Sequence, residues 1–266
     1  MLRDKKIGIV GIGNMGGAIL DGLLAGGIAP TQVVVYDTDD ERIAQAKAGG
    51  VMAVASAKDV ASHCDIVVLA VKPAKIVPVI RESYGQEDSP LFISVAAGVT
   101  IADMEAGCKG VRIVRTMPNT PAVVGEAMTA ICGGSNATDD DVSAACEIFG
   151  LFGKTAVVDE NLLEAVAGIS GCAPAYVYMF IEALADAGVL HGMPRKDSYI
   201  FAAQAVLGAA KMVLETGQHP GALKDAVCSP GGATIEAVAE LERGGFRGVV
   251  IDGVDAAVHK AVAMKS

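Results

Sequence analysis

Positive charge is scarce in this sequence. Lysine and arginine together number 21 against 31 aspartates and glutamates, which gives a net charge of −10 and a pI near 4.8. That balance argues against nucleic acid and against anionic membranes as partners. It says little about a small ligand, because local fields can oppose the net charge. Paired cysteines are also missing. Cys64, Cys108, Cys132, Cys146, Cys172 and Cys228 form no CxxC spacing and sit in apolar or helical text. They read as buried, reduced thiols in a cytoplasmic protein. The four histidines are scattered, so no metal site is expected. No signal peptide is expected, since the first strand begins almost at once. No internal repeat or low-complexity linker is visible. The uncharged run from Ala165 to Ile181 is short for a membrane span and contains Gly168, Ser170, Gly171 and Pro174. A helix buried between subunits fits it better.

What is present is a 266-residue chain that is 52% hydrophobic, enough for one large or two modest domains and a large core or subunit interface. It is organised around Ile7 to Asp37. Ile7-Gly8-Ile9-Val10 reads as a strand, Gly11-Ile12-Gly13-Asn14-Met15-Gly16 follows, and a helical pattern then carries Ile19, Leu20, Leu23 and Leu24. Val33-Val34-Val35-Tyr36 is a second apolar run and ends in Asp37, about 20 residues beyond the third glycine. Strand, glycine turn, helix, strand, acid is the order of a dinucleotide-binding βαβ unit. Gly11 permits the tight turn. Gly13 lets a diphosphate approach the backbone, and Gly16 lets helix and strand pack closely. The first-turn N–H groups have no intrahelical acceptor and face the phosphates. Gly11, Ile12, Gly13, Asn14, Met15 and Gly16 are therefore expected to bind a cofactor, with Asp37 gripping its ribose. The competing reading is a glycine turn kept for packing alone.

Strands and helices continue to alternate. Asp39 to Gly49 reads as a helix and Val51 to Val54 as a short strand. Asp65 to Val71 and Leu91 to Val95 are near-continuous apolar runs of strand length, as in a parallel sheet buried on both faces. Pro73 ends the first of these and can open a helix. Val111 to Arg115 is the next strand, then Ala127 to Cys132, a helix near Thr138 to Phe149, and Lys154 to Val158. This pattern predicts a doubly wound α/β domain over residues 1–160. Ligands in such sheets lie beyond the carboxyl ends of the strands. That singles out Ala70, Val71, Lys72 and Pro73, then Ala96 and Ala97 with Gly98, and Asn119 within Thr116–Pro121. Lys72 could touch the cofactor or be a solvated cap.

Residues 161–266 read as all-α. Helices are expected near Leu162–His191, with a kink at Pro174, then Arg195–Glu215, Pro220–Cys228, Thr234–Gly244 and on to about Met264. Within them, Ser229-Pro230-Gly231-Gly232-Ala233-Thr234 precedes a helix carrying Ile235, Val238 and Leu241. The N–H groups of Gly232, Ala233 and Thr234 would be open and convergent, a pocket for a carboxylate strengthened by the helix dipole. Ser229 and Thr234 add hydroxyls. A plain interhelical turn with Ser229 as its cap is the alternative.

These stretches resemble pyrroline-5-carboxylate reductases. The resemblance lies in Gly11–Gly16 with Leu69-Ala70-Val71-Lys72-Pro73, in Arg115-Thr116-Met117-Pro118-Asn119-Thr120-Pro121, and in Leu223 through Thr234. Ile169 through Tyr176 and Gly244-Gly245-Phe246-Arg247 extend it over nearly the whole chain. It implies a Rossmann domain, a helical domain that interlocks in a dimer, and in many members a ring of dimers. The implied reaction reduces a cyclic imino acid to L-proline with NAD(P)H. Gly231, Gly232, Ala233 and Thr234 would hold the substrate carboxylate, Val227 and Ser229 would line the ring pocket, and Thr234 could bond the ring nitrogen. Two departures bear on the cofactor. Members favouring NADPH often carry Ser, Thr or Arg at or just after the second strand, whereas this chain has Asp37-Thr38-Asp39-Asp40-Glu41; and Ala57 stands where many carry Asn. Both favour NADH. A β-hydroxyacid dehydrogenase would need a catalytic lysine on the helix after the Rossmann domain, and Ile169–Tyr176 has none. A non-enzymatic NAD-binding redox sensor would leave Ser229–Thr234 unexplained.

Overall fold

The apolar runs of the first half become strands and the stretches between them become helices. In the computed structural model, which describes residues 2, 4–85 and 89–264, the order is β1 (Ile7–Val10), α1 (Asn14–Ala25), β2 (Val33–Tyr36), α2 (Asp40–Ala48), β3 (Met52–Ala53), α3 (Ala57–His63), β4 (Ile66–Leu69), α4 (Pro73–Ser83), β5 (Leu91–Ser94), α5 (Ile101–Glu105), β6 (Ile113–Met117), β7 (Ala127–Gly133), α6 (Asp139–Gly150) and β8 (Gly153–Val157). The helix boundaries follow capping chemistry. The Asp39 carboxylate accepts the N–H groups of Glu41 and Arg42 ahead of α2, Thr138 caps α6, and Pro73 opens α4 where a missing N–H costs nothing.

The strands form one sheet in the order β3-β2-β1-β4-β5-β6-β7-β8. β1, β4 and β5 are buried throughout, because helices cover both faces. Alternation along β4 divides its side chains. Ile66 and Val68 join the cluster of Ile9, Ile19, Leu23 and Phe149, whereas Val67 and Leu69 join that of Val60, Ile76, Ile80 and Phe92.

Two features of the sheet depart from the sequence reading. The β6 strand runs over Ile113–Met117 instead of Val111–Arg115. Arg115, expected as the last residue of the strand, lies inside it and its side chain is fully buried. Its Nη1 donates to Glu160 Oε1 at 2.8 Å and its Nη2 to Glu164 Oε1 at 3.0 Å. Glu160 Oε1 also accepts the N–H of Ile101, ahead of which Thr100 caps α5. The second departure is direction. β7 is antiparallel to β6 and parallel to β8, so the last two strands oppose the other six. The link from Met117 to Ala127 holds one 3₁₀ turn, Thr120–Val124, ended by Gly125 at φ +76°. It is too short for the crossover that a parallel pair requires, while α6 supplies that crossover between β7 and β8.

The helical half contains α7 (Leu163–Val166), a π turn (Ala167–Gly171), α8 (Ala173–Leu190), α9 (Arg195–Thr216), α10 (Pro220–Ala226), α11 (Ala233–Arg243) and α12 (Phe246–Ala263). The continuous helix expected over Leu162–His191 is thus interrupted. The Cys172 N–H reaches back to Ala167 O at 2.7 Å, and Pro174 sits in the first turn of α8, starting a helix instead of kinking one. Packing defines two compact units, Met1–Cys172 with Ala257–Ser266, and Ala173–Ala256. The first runs past residue 160 because Leu163 and Ala167 are buried with the sheet's apolar cluster. The second has little core of its own. Among its described residues Ala185, Ser198 and Ala202 are buried, while Tyr178, Met179, Leu190, Phe201 and Ile251 are exposed. The stretch Glu160–Leu190 has the length and composition of a membrane span, a test that core helices of soluble proteins also pass.

Candidate active site

The sheet order reverses between β1 and β4, and the loops leaving these two strands part there. The glycine turn occupies this crevice. Gly11 has φ +90°, and a Cβ on it would lie 2.7 Å from Ala70 O, so the turn is pressed against the exit of β4. A Cβ on Gly16 would lie 1.9 Å from Gly11 O. Gly13 is the N-cap of α1 and has no side chain to satisfy the helix's first amides. Among the described residues nothing accepts the N–H groups of Asn14, Met15 and Gly16. A backbone cradle that side chains would fill, at the head of a helix, fits the diphosphate of a dinucleotide.

Asp37 stands at the end of β2 beside this cradle. Its Oδ2 accepts the N–H of Ile12 at 2.6 Å and its Oδ1 accepts that of Asp39 at 3.0 Å. Ile12, expected to face the cofactor, therefore spends its amide on Asp37 and buries its side chain in the core. Each carboxylate oxygen of Asp37 retains a second acceptor direction. Ala70 and Val71 are half-buried beside Gly11, whereas Lys72 and Pro73 are exposed at the start of α4. Ala96 is buried and Ala97 exposed in the turn after β5. In that turn Gly98, at φ +80°, lies so close to the chain's end that a Cβ on it would be 3.0 Å from Met264 O.

Asn119 has a different task from the one expected. Its Oδ1 accepts the N–H of Met128 at 2.9 Å and its Nδ2 donates to Ser170 O at 3.1 Å. The amide is buried and ties the β6–β7 link to the π turn.

The sequence reading of the thiols also needs a correction. Cys108 and Cys132 are buried, but Cys172 is exposed. Burial pushes the Cys64 thiol up to about 12, and the same desolvation raises Cys108 and Cys132. None of these three is a thiolate nucleophile at neutral pH.

The Ser229–Thr234 stretch belongs to the second compact unit. Gly231 takes φ +66°, which favours glycine, and the chain turns there into α11 with Gly232 as N-cap. The Gly232 N–H, expected to be open, donates to Ser229 O at 3.0 Å. A Cβ on Gly232 would lie 2.3 Å from Ser229 Oγ, so the serine side chain folds over this glycine. The amides of Ala233, Thr234 and Ile235 remain without an acceptor among the described residues. Ala233 and Thr234 are exposed, as is Val227 just past α10. Nearby, Lys224 Nζ lies 2.6 Å from Asp225 Oδ1, and that carboxylate raises the lysine's pKa.

One residue beside the glycine turn escaped the sequence reading. Arg42, inside α2, carries its guanidinium back to the glycine turn. Its Nη1 lies 3.0 Å from where a Cβ on Gly13 would stand. A helical Cα–Cβ bond tilts toward the helix N-terminus, so a long side chain in the first turn reaches back past its cap.

Comparison with known proteins bears on both regions. Residues 160–264 match the family model described as pyrroline-5-carboxylate reductase dimerisation, and residues 6–98 match that described as NADP oxidoreductase, coenzyme F420-dependent. The pyrroline-5-carboxylate reductase of Escherichia coli (strain K12) is 49% identical over 263 residues, with 97% of each chain covered. That of Methanosarcina acetivorans is 43% identical over 258 residues, with 95% of each covered. The solved structure of Plasmodium falciparum pyrroline carboxylate reductase with NADP bound superposes with a TM-score of 0.89 at 34% identity, covering 99% of both chains. That of the Coxiella burnetii pyrroline-5-carboxylate reductase gives 0.92 at 34% identity, covering 98% of this chain and 99% of that one.

Proposed function

Because the chain belongs to the pyrroline-5-carboxylate reductase family, we propose that its two glycine turns divide the work of one reduction. The chain is a nicotinamide-dependent oxidoreductase that reduces L-1-pyrroline-5-carboxylate to L-proline, the last step of proline biosynthesis. The dinucleotide, when bound, supplies the hydride that the imine carbon accepts. Gly11, Gly13 and the amides of Asn14, Met15 and Gly16 hold its diphosphate, with Asp37 on a ribose and Ala70–Pro73, Ala96 and Ala97 as walls. Ala233 and Thr234 amides bind the substrate carboxylate at the head of α11, and Val227 and Ser229 line the ring. The protonated imine is electrophilic in itself, so the residues orient it, and no strong acid is required of them. The Thr234 hydroxyl bonds the ring nitrogen or the carboxylate. No histidine is assigned a role.

The observation that carries this substrate reading is the pair of open amides at Ala233 and Thr234 ahead of an exposed hydroxyl. Thr234→Ala should lower kcat/KM for the imine by about ten- to a hundredfold, the worth of one hydrogen bond to a charged group, and leave the Kd for the dinucleotide unchanged. Equal losses in both would place Thr234 outside the substrate site.

Cofactor choice follows from Asp37. Its remaining lone pairs suit the ribose hydroxyls of NADH. A 2′-phosphate would meet this carboxylate, with Asp39, Asp40 and Glu41 close in sequence. Like charges a few ångströms apart cost on the order of 1–4 kcal/mol in partly exposed surroundings. NADH should therefore serve at least as well as NADPH. A tenfold or greater preference for NADPH in kcat/KM would overturn this, whichever residue was responsible.

The match of residues 160–264 to a dimerisation model supports a homo-oligomer. We infer a cytoplasmic homodimer built through the helices of 161–266. The support is that the second unit buries so few of its own residues and leaves Tyr178, Met179 and Phe201 exposed.

A further inference from the structure

We propose that Arg42 is a diphosphate-binding residue, held ready over the glycine turn by Asp39. The inference rests on the dinucleotide reading of that turn and adds to it the one charge that the cradle itself lacks.

The contacts form a circuit. The Ile12 amide donates to Asp37, and Asp37 accepts the amide of Asp39 through its other oxygen. Asp39 uses Oδ1 to cap α2, accepting from Glu41 at 3.0 Å and Arg42 at 3.3 Å. Its Oδ2 lies 3.3 Å from Arg42 Nε. The guanidinium closes the circuit at Gly13. Among the described residues beyond the glycine's chain neighbours and its own helix, Nη1 and Cζ are the atoms that a Cβ there would meet, at 3.0 and 3.9 Å. The space in front of Gly13 is thus shared between the approach that a diphosphate needs and the end of one cationic side chain.

The geometry divides the guanidinium by function. Nε lies in ion-pair contact with Asp39, and Nη1 is turned toward the glycine turn. An arginine fork presents several N–H donors in a rigid plane that matches phosphate oxygens. The net charge of the chain is −10, and Asp37, Asp39, Asp40 and Glu41 crowd this edge. Neutral amides of α1 alone would have to draw an anion into that field. Arg42 offsets it at the point of contact. A diphosphate is common to NADH and NADPH, so the contribution should not distinguish them. This separates Arg42 from a residue that reads the 2′-phosphate.

The test is calorimetric titration of wild type and Arg42→Gln with NADH and with NADPH, at two salt concentrations. Arg42 is exposed, and its loss leaves no buried charge behind, so thermal unfolding should be unchanged and the variant properly folded. Binding of both dinucleotides should weaken alike, by about ten- to a hundredfold, and the salt dependence of Kd should be shallower in the variant. Loss confined to NADPH would assign Arg42 to the 2′-phosphate and overturn the proposal. Unchanged affinity for both would leave it a surface residue and overturn it equally. A wild type that binds neither dinucleotide would remove the underlying reading and the proposal together. The wild-type ratio of the two affinities separately tests the part given to Asp37.

Discussion

Arg115→Met should destabilise the folded protein by about 3–5 kcal/mol. The guanidinium is wholly inaccessible, and its two carboxylate partners differ. Glu160 is partly exposed and can be rehydrated, but the Glu164 side chain is 7% exposed. Removing the cation takes the Arg115 ion pair from a charge that is shielded from water. A buried ion pair adds little over a well-packed apolar replacement, whereas half of one is expensive. Replacing both residues, Arg115→Met with Glu164→Leu, should therefore recover most of the loss. Urea unfolding of the two variants and wild type, at matched protomer concentration, measures both effects. A loss below about 1 kcal/mol in the single variant would put the pair in the class of surface salt bridges. The same experiment, repeated over a range of protomer concentrations, reads the assembly. The midpoint should rise with concentration, as it does for an obligate dimer, and an invariant midpoint would count against one.

A comparable contrast is expected within the glycine turn. Gly13→Val should fold and fail to bind the dinucleotide, since beyond its chain neighbours and its own helix its Cβ meets the exposed end of Arg42. Gly16→Val should instead damage the fold. Its Cβ would stand 1.9 Å from the carbonyl of Gly11, and backbone has to yield. Gly11 in turn is fixed, because its N–H donates to Tyr36 O at 2.8 Å and its flank abuts Ala70 O. Overpacking of this kind costs at least about 1–3 kcal/mol. Thermal unfolding together with NADH titration distinguishes the two. Normal affinity in a folded Gly13→Val variant would mean that the diphosphate does not pass over this residue.

The parts of the fold visible in the sequence were those fixed by local chemistry. Strand, glycine turn, helix and acid follow from apolar runs and backbone permissiveness over Ile7–Asp37. Asp39, Pro73 and Thr138 mark helix starts because capping is a matter of a few neighbouring atoms. What stayed hidden depended on partners distant in the chain. Arg115 looks like a strand end until Glu160 and Glu164 supply its ion pairs, and the reversal of β7 is decided by a link too short to cross over. At the site the same distinction holds. The need for glycine at positions 11 and 16 was legible, and so was the helix behind Ser229–Thr234. The commitments of Ile12, Asn119 and Gly232 were not, since each spends a hydrogen-bonding group on an acceptor or donor that one-dimensional spacing does not place.

The return of the chain to its starting unit also sets an order of events during synthesis. Residues 173–256 are translated between the sheet and the final turns of α12 that pack with it. A nascent chain can complete the eight-stranded sheet well before then, yet the turn at Gly98 meets the backbone of Met264 only once residue 264 has been made. Until that moment, the loop beyond β5 is without one of its neighbours.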